Sequence, residues 1–423
     1  MEPSDHLFRH ESGRLVATLT RIFGVHNLTM AEDVVQDAFR RALEVWKFRG
    51  VPDNPSAWLM ATAKNRAFDV LRRERTERTF APELERSLHS EWTLVPAVEE
   101  AFGPNAIKDD LLRVMFSCCH PRLPEVAQVS LVLHILCGFS IDEVASAFVS
   151  SGAAIEKRIQ RAKNVLARSK RLFDVTSPAD FAVRLPAVHR ALYLLFNEGY
   201  HGASSESTVR SELCEEAMRL LAILLQHPLG STPTTYALTA LMCLNSARLP
   251  ARVDASGNLN NLFSQDRSLW DQTLVREGLK FLELSASGFD LSEYHVEAAI
   301  ASMHATASRT EDTNWKEIVT LYDTLMAIRP SPVVALNRAI AIAQRDGPGR
   351  GLEEIRAIEG RDRLSAYPFY HAALGELEFR SGEYEAAREH FRAAISLARS
   401  SMEHRFLEQR VCACEESIRS FNA

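Results

Sequence analysis

The stretch "SIDEVASAFVSSGAAIEKRIQRAKNVL", residues 140–166, combines a clear helix start with a concentration of positive charge. Ser140 and Glu143 have the spacing of a capping box, in which each side chain accepts a hydrogen bond from the other residue's backbone N–H. A short helix, a turn ending at Gly152 and a longer basic helix follow. These are the proportions of a helix-turn-helix.

The longer helix has two chemically different faces. At about 100° per residue, its apolar face predicts packing against its own domain, and its polar face offers cations and an amide. Lys and Arg neutralise DNA phosphates, and Arg and Asn read base edges in the major groove. A merely solvated basic face is the alternative, but the capped helix and turn favour DNA recognition. The apolar face holds Ile155, Ile159, Ala162 and Leu166, and the opposite face holds Lys157, Arg161, Asn164 and Arg168.

The charge of the chain is unevenly distributed along its 423 residues, whose net charge is −6. Residues 153–171 contain seven Lys or Arg and one Glu. Residues 1–173 contain 24 basic and 22 acidic side chains, whereas the remainder contains 25 and 33. The first part can therefore approach a polyanion, and the second would be repelled by one.

Helical periodicity occurs almost everywhere, and sustained alternation of apolar and polar residues is absent, which predicts an all-α fold. In "AEDVVQDAFRRALEVW", residues 31–46, one apolar stripe faces a core. Gly50 and Pro52 end this helix, and Asn54 followed by Pro55 is typical of the start of the next. That next helix carries a second basic cluster, "KNRAFDVLRRERTER". The stripe consists of Val35, Phe39, Ala42 and Trp46.

The C-terminal part has a different helical pattern. "YHAALGELEFRSGEYEAAREHFRAAISLA", residues 370–398, fits a tetratricopeptide repeat, although His371, Glu378 and Arg399 depart from that pattern. We expect about two to four degenerate repeats. The residues at the expected spacing are Leu374, Gly375, Ala387, Phe391 and Ala394.

Several function classes have little support. Seven Cys, an odd number, argue for reduced thiols, and Cys118-Cys119-His120 has no second ligand pair at zinc-finger spacing. Esterase, Walker and zinc-protease motifs are absent, so we expect no catalytic residues, no metal, no cofactor and no enzyme activity. The N-terminus lacks the pattern of a secretory signal, and the longest apolar stretch is too short to span a bilayer. We expect a cytoplasmic protein without membrane contact.

Three motifs in order resemble the extracytoplasmic-function group of bacterial RNA polymerase sigma factors. "AEDVVQDAFRRALEVW" is similar to the family's region-two helix, which binds the clamp helices of the polymerase's largest subunit. "FRGVPDNPSAWLMATAKNRAFDVLRR", residues 48–73, resembles the loop and helix that open and hold the −10 promoter element. "SIDEVASAFVSSGAAIEKRIQRAKNVL" resembles the region-four helix-turn-helix that reads the −35 element.

The resemblance implies three groups of contact residues. Core RNA polymerase would be bound by Asp33, Gln36, Asp37 and Arg40. The locally melted −10 DNA would be bound by Phe48, Arg49, Asp53, Asn54, Lys64, Asn65, Arg72 and Arg73. The double-stranded −35 DNA would be bound by Lys157, Arg158, Arg161 and Lys163. Trp58 and Phe68 are assigned mainly to the core, and Phe48 is either a core or a base-stacking residue.

The resemblance also implies a domain organisation. Residues 1–80 would form region two, 81–108 a linker, 109–173 region four, and 174–423 a helical, tetratricopeptide-like domain that either modulates the sigma domains or docks a regulatory protein partner. "FSCCHP" and "LYLLFNEGY", at 116–121 and 192–200, recur in the sigma subgroup with such an extension. A tetratricopeptide scaffold or sensor, and a conventional helix-turn-helix repressor that does not bind polymerase, are the rival hypotheses.

Overall fold

The computed structural model describes residues 3–77, 109–148, 150–168, 177–201, 209–254, 258–398 and 400–422. Within these ranges the regular structure is helical, apart from one isolated bridge between Val253 and Leu259. The all-α prediction is confirmed. The predicted linker, residues 81–108, lies outside the described residues.

The chain forms two compact units. The first comprises Met1–Leu192 and Ala222–Ser231, and the second comprises Tyr193–Leu221 and Thr232–Ala423. The first unit contains α1 (Pro3–Phe23), α2 (Leu28–Arg49), α3 (Pro55–Glu77), α4 (Asp110–Cys118), α5 (Glu125–Ile135), α6 (Ile141–Ala147), α7 (Gly152–Ala167) and the first part of α8 (Pro178–His201).

The first three helices pack around the predicted apolar stripe of α2. Val35, Ala42 and Trp46 are buried, and the Trp46 ring meets the edge of Trp58 at 5.5 Å between centroids. Gly50 ends α2 at a φ of 78°, a conformation that favours glycine. The predicted helix start is also present, since the backbone N–H of Ala57 donates to the side-chain oxygen of Asn54 at 3.0 Å.

Helices α1–α3 and α4–α7 pack directly on one another within the first unit. Gly13 of α1 approaches the end of α5 so closely that a Cβ there would lie 1.8 Å from the carbonyl oxygen of Leu136. Arg21 of α1 pairs with Asp110 of α4 at 3.3 Å. Residues that the sequence assigns to regions two and four therefore share one compact unit.

The start of α8 also packs on this unit. The rings of Phe116 and Phe181 stack at 4.4 Å, and Arg184 donates to the carbonyl oxygen of Phe116 at 3.1 Å. His227, in the returning segment Ala222–Ser231, stacks on the other side of Phe181 at 4.6 Å. Residues after the predicted boundary at 173 thus cover apolar surface of the first unit, and the boundaries of the predicted domains remain predictions.

The second unit is a succession of helices. It contains the end of α8, most of α9 (Ser211–Gln226), α10 (Pro233–Ser246), α11 (Leu249–Arg252), α12 (Gln272–Ser285), α13 (Glu293–Thr306), α14 (Trp315–Ile328), α15 (Pro332–Asp346), α16 (Pro348–Arg356), α17 (Pro368–Arg380), α18 (Tyr384–Leu397) and α19 (Ser401–Asn422).

The core of the second unit runs along the chain as successive clusters between neighbouring helices. Gly375 of α17 brings that helix against α18, because a Cβ at this position would lie 3.1 Å from the Phe391 ring. All five residues that matched the repeat spacing are buried. This packing agrees with the predicted helix pair, and the assignment of the pair to tetratricopeptide repeats remains a prediction.

Candidate nucleic-acid interface

Helix α7 has the two faces that its sequence predicts. Ile155, Ile159, Ala162 and Leu166 are all buried. Lys157, Arg161, Asn164 and Arg168 on the opposite face are exposed. The helix therefore presents three cations and an amide on the face opposite its buried apolar residues. This confirms the predicted amphipathic pattern.

The helix before α7 is held by its predicted cap. The backbone N–H of Ser140 donates to the Glu143 carboxylate at 2.7 Å, and the N–H of Glu143 donates to the Ser140 hydroxyl at 3.1 Å. After the turn, the Arg158 guanidinium donates to the hydroxyl of Ser150 at 3.3 Å. The half-buried Arg158 therefore ties α7 to the turn, and this bond competes with its predicted contact with DNA.

Lys163 differs from the other cations of α7. Its ammonium donates to the carboxylate of Glu32 on α2 at 2.6 Å. The side chains of Lys163 and Glu32 are only 13% and 14% exposed. In this arrangement Lys163 therefore joins α7 to α2, whereas Lys157 and Arg161 face solvent.

The predicted −10 loop is exposed, and the structure excludes the core hypothesis for Phe48, whereas base stacking remains a prediction. Its side chain is 84% exposed at the end of α2, so it is not a core residue. Arg49 and Asp53 are exposed beside it, and Asn54 caps α3. An exposed aromatic ring next to a cation is the arrangement on which an unstacked base can stack.

Helix α3 extends this surface. Asn65, Arg72 and Arg73 are exposed, while Lys64 is half-buried with its ammonium 5.9 Å from the centroid of the Phe68 ring. Phe68 is itself half-buried and meets Phe23 of α1 at 5.4 Å. Trp58 is also half-buried, so both aromatic residues border the core rather than fill it.

The predicted polymerase-binding residues lie on one side of α2. Asp33, Gln36 and Arg40 are exposed. Asp37 accepts hydrogen bonds from Arg40 at 2.9 Å and from Arg66 of α3 at 3.2 Å, so it also holds two helices together. Partial burial and the neighbouring Glu32 raise the pKa of Asp33.

The contacts that join α2 to α5 and α7 were not predicted from the sequence. Gln36, Glu32 and His134 line a cavity of about 200 Å³ between α2 and α5. His134 bonds the carbonyl oxygen of Phe139 through Nδ1 at 2.7 Å, and its Nε2 lies 3.9 Å from the Glu32 carboxylate. To predict this contact, one must know which distant charged residues pair with one another. A single sequence does not contain that information.

The described ranges contain no helix long and apolar enough to cross a membrane, and no group of three or more His, Cys, Asp or Glu that could hold a metal ion. Cys118 and Cys119 are buried. Burial raises the pKa of the Cys118 thiol to about 12, so this thiol stays protonated at neutral pH.

Comparisons with known proteins agree with part of this picture. Residues 7–77 match sigma-70 region 2, and residues 184–286 match a family of unknown function (DUF6596). The uncharacterized protein R00370 of Rhizobium meliloti (strain 1021) is 37% identical over 398 residues, which cover 94% of this chain and 92% of the relative. This chain belongs to the same family as that rhizobial protein. No solved structure matches this chain.

The sigma-70 region 2 match covers α1–α3, and it therefore includes α2, the exposed Phe48 loop and the basic helix α3. It supports a sigma-factor-like role in transcription initiation, and such a role implies interaction with core RNA polymerase and promoter DNA. The match ends before α4, so the hypothesis that α6 and α7 form a DNA-binding helix-turn-helix depends on their own geometry.

Proposed function

We propose that this protein is a sigma factor of the extracytoplasmic-function type, which binds core RNA polymerase and directs it to particular promoters from the bacterial cytoplasm. The proposal rests on the two faces of α7. Lys157 and Arg161 are exposed on one face, the opposite apolar face is buried, and the capped helix α6 comes directly before α7 in the chain. Its position in the chain, after the sigma-70 region 2 match, supports the proposal that it reads the −35 element.

Each exposed surface has a role in this proposal. Asp33 and Gln36 of α2 would dock onto the polymerase, where an acidic patch favours a basic partner. Phe48 would stack on a base extruded from the −10 element, and Arg72 and Arg73 would neutralise nearby phosphates. Extruding a base costs a few kcal/mol, and stacking on an aromatic ring contributes about 1–3 kcal/mol in return.

Binding of the full chain to core RNA polymerase tests the proposal. Asp33→Lys reverses an exposed charge, whereas reversing Asp37 would also break its bonds to Arg40 and Arg66. We expect Asp33→Lys to weaken binding about tenfold, because it replaces attraction by like-charge repulsion. The matched control is Glu277→Lys, at an exposed position of the second unit.

Reconstituted transcription distinguishes the rival functions. A sigma factor directs initiation by core polymerase at a promoter. A repressor would bind duplex DNA without activating core polymerase, and a scaffold or sensor would bind neither DNA nor core polymerase.

Equal capture of core polymerase by wild type, Asp33→Lys and Glu277→Lys would overturn the assignment of α2.

We further propose that the second unit regulates the first and binds a regulatory protein. A chain ending at 173 would lose Phe181 and Arg184, which cover Phe116. The test therefore uses a chain ending at Ser231, which keeps all residues of the first unit. With an unchanged helical circular dichroism signal per residue, altered promoter affinity or transcription supports regulation, and identical activity contradicts it.

A further inference from the structure

Three arginines in the second unit lie in a row between two aromatic rings. The Arg252 and Arg248 guanidiniums lie 4.2 and 5.9 Å from the centroid of the Tyr200 ring. Arg248 and Arg267 lie 5.5 and 4.9 Å from the centroid of the Trp270 ring. Because Arg248 shares one ring with each of the other two, three positive charges are concentrated around two buried aromatic side chains.

None of the three guanidiniums forms an ion pair with a carboxylate of the described residues. Arg252 is 9% exposed, and its Nε is buried without a hydrogen-bond partner among the described residues. Within the part of the chain that the structure describes, the Arg248 guanidinium donates only to the side-chain oxygen of Gln265, at 3.3 Å. Burial lowers the pKa of Arg248, and the other groups acting on it are Tyr200 and the two neighbouring arginines, none of them a carboxylate.

Arg267 contributes further unused donors. Its Nη1 donates to the carbonyl oxygens of His304 and Ala307, each at 2.6 Å, while Nε and Nη2 are buried and have no hydrogen-bond partner among the residues that the structure describes. The indole N–H of Trp270 is likewise buried and finds no acceptor within the described ranges. The cluster therefore has an excess of hydrogen-bond donors as well as of positive charge.

Other partly buried arginines of this unit are paired. Arg210 pairs with Glu198 at 3.6 Å, Arg338 with Asp323 at 2.6 Å, and Arg410 with Glu376 at 2.7 Å. A shielded cation without an ion-pair partner is unfavourable, so a cluster of such cations favours a bound anion. Burial lowers the pKa of Arg267, and Glu311 and Asp312 act in the opposite direction, but neither carboxylate forms an ion pair with it within the described residues. Their clustering distinguishes the three arginines from an ordinary packed guanidinium.

We propose that Arg248, Arg252 and Arg267 form a binding site for a small oxyanion with several negative charges. Guanidinium groups bind phosphate and carboxylate oxygens through paired hydrogen bonds, and unpaired N–H groups need acceptors. Arg248 and Arg267 are only half-buried, which gives a small ion access from solvent. Arg252, Tyr200 and Trp270 are buried, which excludes a polymer such as DNA from the full row.

Isothermal titration of the full chain with pyrophosphate and with citrate tests this site. The two probes distinguish a phosphate from a carboxylate ligand, and sodium chloride at equal ionic strength controls for screening. We expect saturable binding of at least one anion to wild type. Loss of one charged partner should weaken that binding about tenfold or more in Arg252→Gln and Arg248→Gln. Arg276→Gln, at an exposed position of α12, is the matched control and should bind as wild type does.

The anion titration requires neither polymerase nor DNA. Its outcome is therefore independent of whether the proposed sigma-factor function is correct. Arg248 is less buried than Arg252, so Arg248→Gln decides the outcome if Arg252→Gln loses its helical circular dichroism signal. The absence of saturable binding for both anions would overturn the proposal. Equal binding by wild type and Arg248→Gln would also overturn it and leave the row as packing alone.

Discussion

The ammonium of Lys163 lies 2.6 Å from the carboxylate of Glu32 and joins the basic helix α7 to α2. Both side chains are largely shielded from water, and His134 approaches the other oxygen of the same carboxylate. A cation that the sequence assigns to DNA is thus engaged inside the first unit. This contact connects the proposed −35 and polymerase-binding surfaces.

Removal of the Glu32 carboxylate should destabilise the first unit. Glu32→Gln leaves Lys163 shielded without its ion-pair partner, so we expect the free energy of unfolding to fall by about 1–3 kcal/mol. Urea denaturation of Glu32→Gln, Lys163→Gln and the double variant would give the coupling energy. Asp69→Asn, which breaks an exposed pair with Arg72, should cost less than about 1 kcal/mol. A coupling energy near zero would contradict the importance of the Lys163 contact.

The two lysines of α7 should affect DNA binding differently. Each phosphate contact contributes about 0.9 to the slope of log affinity against log salt concentration. Lys157→Ala should reduce the magnitude of that slope by about this amount, whereas Lys163→Ala should leave it unchanged, because Glu32 already holds Lys163. Fluorescence anisotropy with labelled duplex DNA measures both, and Arg276→Ala serves as control. An equal loss of slope in both lysine variants would show that the Lys163 pair opens on DNA.

Loss of the Phe48 ring should affect promoter melting without affecting stability. The side chain is exposed, so Phe48→Ala should change the free energy of unfolding by less than about 0.5 kcal/mol. It should weaken binding to single-stranded −10 DNA by about 1–3 kcal/mol, as expected when a stacking partner is removed. Leu43→Ala, at another exposed apolar position of α2, is the control in the same binding measurement. Equal binding by both variants would contradict a stacking role for Phe48.

Local features of the fold could be predicted from the sequence because they depend on neighbouring residues. The Ser140–Glu143 capping box, the Asn54 cap and the apolar face of α7 require only short-range hydrogen bonds and helical periodicity. The structure has them where the sequence places them. The same helical periodicity also predicts the exposure of Lys157 and Arg161.

Long-range contacts could not be predicted in this way. Gly13 meets Leu136, and Glu32 meets Lys163 across 131 residues of the chain, a separation far beyond the reach of helical periodicity. The row of Arg248, Arg252 and Arg267 was missed for the same reason, because its residues come from separate segments around Tyr200 and Trp270. Contacts of this kind arise from tertiary packing, which a single sequence does not specify at the level of residue pairs.

The buried His189 of α8 should make the protein sensitive to mild acid. Burial lowers the pKa of His189 to about 3, from an ordinary value near 6.5. Between these values the unfolded chain binds a proton that the folded chain does not, so the free energy of unfolding falls as the pH drops below about 6.5. At pH 5 this loss is about 2 kcal/mol relative to pH 7.

Urea denaturation at pH 7 and pH 5 measures this loss as a difference between variants. His189→Leu has no group to protonate, so its stability should depend on pH less than that of wild type by about 2 kcal/mol over this interval. His404→Gln replaces an exposed histidine of α19 and should retain the wild-type dependence. His304, whose pKa burial lowers to about 4, contributes a loss of the same sign in all three proteins and cancels in the comparison. Equal pH dependence of wild type and His189→Leu would show that His189 accepts a proton without unfolding.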